Sequence, residues 1–148
     1  MSLVSPWLLD LWTCAEAEHR QAVWRSLPTK VLEAFSLDRR FFLEDVAWLG
    51  TLAVDQGTAR HPSQAALGIL AAAVEDGHAP IEWVRPYVLE ALRSPRAGVR
   101  SDAVEALWQM ADRSTVPALR VALSQETHMD VAATITHVLK IFSVDPSL

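Results

Sequence analysis

A chain of 148 residues, 51% of them hydrophobic and 21% charged, is long enough for one core of its own and too apolar to stay disordered. Its net charge of −5 argues against a general nucleic-acid binder, which needs surplus Lys and Arg to displace counterions from phosphates. Cys14 is the only cysteine, so no internal disulfide can form, which fits a reducing, cytoplasmic setting. The first residues lack the cationic start of a secretory leader, running directly into Ser5, Pro6 and Trp7. The longest apolar run, 65–74, has ten residues, too few for ~30 Å of hydrocarbon and suited to a buried helix. An intracellular protein without a membrane partner is the expectation.

Helix signals follow one another along the chain. Ser5 and Pro6 form an N-cap and first-turn pair for a short helix to Trp12. Thr13 and Glu16 resemble a capping box for a second helix reaching about Leu27, where Pro28 stops it. A short helix at 30–35 comes next. Asp38 then caps a longer one over 39–55, in which Phe42, Val46, Leu49 and Ala53 recur at helical spacing. Gly57 and Gly77 stand where left-handed helix ends are expected, bracketing a helix that starts at Pro62. Further helices are predicted over 86–93, 97–111, 117–124 and 128–142. No segment shows the period-two alternation of a strand, so the fold class is all-α.

The second half repeats itself. Pro86, Ala91 and Leu92 align with Pro117, Ala122 and Leu123 at an offset of 31. After one inserted residue, Val99, Ala103 and Leu107 meet Val131, Ile135 and Leu139 at an offset of 32. Helical repeats of roughly 30–45 residues point to stacked helix pairs, an α-solenoid. The string from Ser94 to Leu107 resembles the HEAT-like repeat of the phycobilisome-lyase type, matching at Val99, Arg100, Ala103, Ala106 and Leu107. The second copy matches at Val131, Val138 and Leu139 but has Ala132 in place of the arginine, and Ser94 stands where the family often has aspartate. The resemblance covers about 85–142. It implies a short right-handed α-solenoid of roughly four antiparallel helix pairs, with 1–57 as divergent capping helices and 58–148 as HEAT-like pairs. Fold follows from such a likeness more readily than function.

Placing residues at ~100° steps puts Val104, Trp108 and Ala111 on one flank of the helix at 97–111. Ala66, Leu70 and Ala73 occupy that flank in the preceding helix, and Thr136, Lys140 and Ser143 in the last. Apolar flanks inside and a polar one at the end suit a solenoid that finishes here, with Trp108 buried between repeats. Trp83 and Tyr87 read as core, and the aromatic-rich start (Trp7, Trp12, Trp24, Phe35, Phe41, Phe42, Trp48) as the cap.

The sequence contains no phosphate-cradling loop, nucleophile elbow or zinc pair. His128, Asp130 and His137 are spaced wrongly for one metal on a helix and read as surface groups. Cys14 and His19, five apart and off one face, read as a small core cysteine and an unrelated histidine rather than a nucleophile and base. Arg93, Arg96 and Arg100 cluster at an inter-helix connection, Arg100 as a structural arginine and the other two as solvated charge. No catalytic residue, cofactor or metal is expected. The candidate binding surface is the ridge of second helices: Leu67, Val74, Ser101, Asp102, Glu105, Gln109, Asp112, Asp130 and His137. It is apolar in the middle and acidic toward the end, which suits a protein partner with basic and apolar groups, or a second copy of the chain. A non-catalytic interaction module is the leading reading. An immunity-type inhibitor of a basic toxin, and a small enzyme subunit, bilin-lyase-like or DNA-binding HEAT-like protein, are the alternatives.

Overall fold

The structure, a computed structural model, describes residues 3–35 and 40–143. Eight α-helices and one 3-10 turn (Arg113–Thr115) make up the regular structure of these residues: α1 (Pro6–Glu18), α2 (Gln21–Ala34), α3 (Leu43–Val54), α4 (Arg60–Glu75), α5 (Ile81–Ala91), α6 (Ala97–Gln109), α7 (Val116–Gln125) and α8 (Met129–Ser143). Consecutive helices pack as pairs, α1 on α2, α3 on α4, α5 on α6 and α7 on α8. The even helices also pack on one another in order, from α2 through α4 and α6 to α8, while α3 packs on α5. None of the described helices is long and apolar enough to cross a membrane.

Helix α4 is the hub, touching α2, α3, α5 and α6. Its composition explains how. Ala65, Ala66, Ala71, Ala72 and Ala73 are all buried, so four neighbours approach a thin helix while Leu67, Ile69 and Leu70 fill the remaining space. Fully buried Leu8, Leu27, Leu49, Leu107, Leu119 and Ile135 carry the core through the other helices, each contributing about 1.5–3 kcal/mol over exposure. Gly50 in α3 is required by close approach: a Cβ there would enter the ring of Tyr87 on α5.

Several predicted boundaries shift, for tertiary reasons. The first two predicted helices are divided differently: α1 runs through Thr13 to Glu18, and the break falls at His19, whose φ is 51°. Pro28 does not stop α2, which continues through it to Ala34. Pro28 seats against Gly68 of α4, where a Cβ would lie 3.0 Å from its ring. Pro86 is likewise inside α5 rather than at its start. Asp38, the expected cap, lies outside the described residues; the following helix starts at Leu43. Gly77 has the expected positive φ of 78°, whereas Gly57 does not, and its N–H instead donates to Asp55 Oδ1 at 2.9 Å. Cys14 is exposed rather than core, because it falls on the outer face of α1.

Candidate functional site

Charge placement decides which part of the ridge is open. Asp112 is 4% exposed, not a surface acid. It follows α6, where Ala111 takes a left-handed φ of 53° and Asp112 N–H donates back to Leu107 O at 3.1 Å. That turn aims the carboxylate inward. Arg85 Nε donates to its Oδ2 at 2.7 Å and Nη2 to Oδ1 at 3.2 Å, and Ser114 Oγ donates to Oδ1 at 2.6 Å. Burial alone would raise the Asp112 pKa, but these donors outweigh it and hold the carboxyl below its ordinary value.

Two further arginines tie consecutive pairs together. Arg100 donates Nε to Glu126 Oε2 at 2.8 Å and Nη2 to Oε1 at 2.7 Å, with Nη1 on Ser94 O at 3.0 Å. The hydrogen bond from Arg100 lowers the Glu126 pKa and raises that of Arg100. Arg100 thus joins the carbonyl of Ser94, after α5, to the carboxylate of Glu126, after α7. Arg96 is not free charge: its Nη1 donates to Thr58 O at 2.6 Å and Nη2 to Asp55 O at 3.2 Å, satisfying carbonyls beyond the end of α3.

Asp102 is also corrected from exposed to buried, at 8% exposure. Its Oδ2 lies 2.6 Å from Arg60 Nη1, and Arg60 Nη2 donates to Oδ1 at 3.2 Å. The short contact is an ion pair without hydrogen-bond direction, since neither atom has a properly directed partner among the described residues. Desolvation dominates here. It raises the Asp102 pKa to about 6, Arg60 opposing and the Glu105 charge adding to the rise.

Leu67 is 1% exposed and cannot be an open anchor, because α2 lies over it. Val74 is half-buried against the core. Of the predicted ridge, Glu105, Asp130 and His137 are exposed, and Ser101 and Gln109 half-buried. Two concavities gather this surface. A cavity of about 190 Å³ between α2, α4 and α6 is lined by Trp24, Arg25, His61, Gln64, Leu67, Asp102, Glu105 and Gln109, among others. A shallower groove of about 540 Å³ between α6 and α8 is lined by Glu105, Trp108, Gln109, Ala133, Thr134, His137 and Val138. Glu105 and Gln109 are common to both. Val74, Ser101, Asp112 and Asp130 line neither.

Trp108 overturns the expectation of burial between repeats. It is 52% exposed, while its flank neighbour Val104 is fully buried. Ala133 and Thr134, facing it from α8, are too small to close over an indole. Trp24, Arg25, His61 and Gln64 were not singled out as site residues in the sequence, because nothing local shows that α2 crosses α4 closely, as the contact of Pro28 with Gly68 does in the structure.

Comparison with protein-family models, with curated proteins and with solved structures finds no match.

Proposed function

We propose that this chain is a non-catalytic protein-binding module that engages its partner through the exposed face of α6 and α8. One observation carries the reading: Trp108, a large aromatic side chain half in water, lines a groove with Ala133, Val138 and the polar Glu105, Gln109, Thr134 and His137. Tryptophan is enriched among the few residues that dominate protein interfaces, where its area is rewarded only once covered. Glu105, which lines the same groove, favours a partner that brings basic as well as apolar groups. The alternation of helices, with even helices packed in one row, supports the HEAT-like solenoid reading, in which such a row forms the binding side.

The test is capture from native lysate by tagged wild type, Trp108→Ser and Glu105→Arg, each checked for folding by helical circular dichroism. Both positions are exposed, so both variants are expected to fold. A stoichiometric protein retained by wild type and lost by both variants is the expected result. Equal retention by all three removes this surface from the proposal, and retention of nothing removes the module reading. Self-capture, seen as a dimer in light scattering, makes the partner a second copy.

A further inference from the structure

We infer that the last helix pair, α7 with α8, rocks on α6, and that two arginine clasps hold it where the Trp108 groove stays open. The inference rests on the protein-binding reading of that groove and supplies its control. Packing at this joint is one-sided. Helix α8 packs on α6, and Val131, Ile135 and Val138 of α8 are buried. The odd row breaks here: α3 packs on α5, but no comparable packing joins α5 to α7. Leu119 is the one buried residue of α7, and Val121 is 57% exposed. In place of packed side chains, this side of the joint holds a space of about 240 Å³ bordered by Leu92, Arg93, Arg100, Ala122 and Glu126, among others. Ion pairs span the break instead. Arg85 of α5 holds Asp112, ahead of the turn into α7, and Arg100 holds Glu126, after α7. Each pairing is two-pronged and fixes distance and angle together, so a clasp is either made or lost.

The last pair is tied within itself, because Arg113 of the 3-10 turn donates Nη1 to Phe142 O near the end of α8 at 3.1 Å. It therefore moves as one body. Positions around α6 give the motion its sign. At ~100° per residue, Arg100 and Trp108 fall about 40° to either side of the buried Val104. Arg100 lies toward the odd row, and Trp108 on the open side, where α6 and α8 alone line the groove. Closed clasps roll α8 toward α5 and away from the indole. Released, α8 rolls back over Trp108, driven by the apolar area of a ring 52% exposed. Ala133 and Thr134 are small enough to let the helix approach. Small shifts of a packed helix between two arrangements are a common basis for switching.

The experiment labels the full chain with fluorotryptophan and follows the fluorine NMR signal of Trp108, assigned by its loss in Trp108→Phe. A neutral soluble nitroxide is titrated in, broadening each signal according to its exposure. Glu126→Gln and Arg100→Lys weaken the same clasp without deleting a side chain, and Arg96→Lys alters an arginine at a different joint. In wild type the Trp108 signal broadens more than those of the buried Trp12 and Trp24. Glu126→Gln lowers that broadening by about twofold, as a half-exposed ring becomes largely covered. It also speeds amide exchange in α7 and α8 while α1 to α4 keep wild-type rates. Arg100→Lys, which keeps the charge and serves if Glu126→Gln does not fold, moves both readings in the same direction. Arg96→Lys moves neither. Unchanged or greater Trp108 broadening in the clasp variants overturns the inference, and so does an equal fall in Arg96→Lys. These readings need no partner. If they come out as expected while lysate capture fails, the rocking pair stands and the partner reading falls. If Trp108 is unmoved while capture depends on it, the binding face stands and the rocking pair falls.

Discussion

The two ends of this molecule are held together by different chemistry. In the first, rings pack on rings: Trp12 meets Trp24 at 4.8 Å and Trp48 at 5.3 Å between centroids, and Phe35 meets Phe41 at 4.9 Å. One polar clasp accompanies them, with Ser5 N–H and Oγ both donating to the fully buried Asp45 carboxylate at 2.7 Å. From α4 onward the aromatic clusters disappear, and arginines bind carboxylates across helix pairs instead: Arg60 to Asp102, Arg85 to Asp112, Arg100 to Glu126. Aromatic packing is indifferent to pH and tolerant of salt, whereas buried pairs depend on the protonation of every carboxylate. The second region also leaves a tryptophan in water, which the first does not. The first region covers its tryptophans and leaves only Phe42 half exposed among its rings, whereas the second leaves Trp108 in water.

The largest effect expected is at the aromatic end. Trp24→Ala opens a cavity among α1, α2 and α4 and should cost about 3–5 kcal/mol in urea unfolding. A loss under 1 kcal/mol would show that the ring cluster is not what holds the first region.

Next comes Asp112→Ala, which leaves Arg85 facing a buried, emptied site. A cost of about 3 kcal/mol is expected, the low end for a broken buried pair because Arg85 keeps some contact with water. Replacing both, Arg85→Met with Asp112→Leu, should recover most of that loss. Failure to recover it means that Ser114 or the turn itself, not the pair, is the source of stability.

The pH response separates the carboxylates within the second region. Asp112 and Glu126 have folded pKa values below their ordinary 3.8 and 4.5, so their contribution is complete above those values and lost as pH falls through the lower folded ones. Asp102 acts in the opposite sense. Its folded value of about 6 exceeds 3.8, so the folded state holds the extra proton between them. Stability from Asp102 therefore falls as pH rises from about 4 to 6. Against pH, the urea midpoint of wild type should decline relative to Asp102→Asn over that window. Parallel curves would mean that Asp102 titrates as an exposed acid.

Smallest is Trp108→Ala, expected within about 0.5 kcal/mol of wild-type stability because the ring is already half in water. Set beside Trp24→Ala, it tests whether the two tryptophans serve different ends. A loss near that of Trp24 would return Trp108 to the core and withdraw the groove.

Much of the helical content was legible because period 3.6 is a local property. Val99, Ala103 and Leu107 alternate with polar residues closely enough to fix a face without reference to any neighbour, and all three are fully buried. The candidate site was legible only in part. Glu105, Gln109 and His137 meet in the two concavities, but Leu67 was misplaced because nothing local announces that α2 will lie over it. Asp102 and Asp112 look like solvated acids in sequence, since their partners Arg60 and Arg85 stand 42 and 27 residues away.

The sequence by itself determined most of the helical content and the internal repeat of the second half, both of which follow from spacing along one chain. Only the tertiary structure decided which acids are buried, that Pro28 passes inside a helix, and that Trp108 faces water. Those outcomes depend on what another helix places opposite each residue: Gly68 opposite Pro28, and Ala133 and Thr134 beside Trp108. Burial and pairing are properties of two surfaces in contact, and a one-dimensional pattern specifies only one of them.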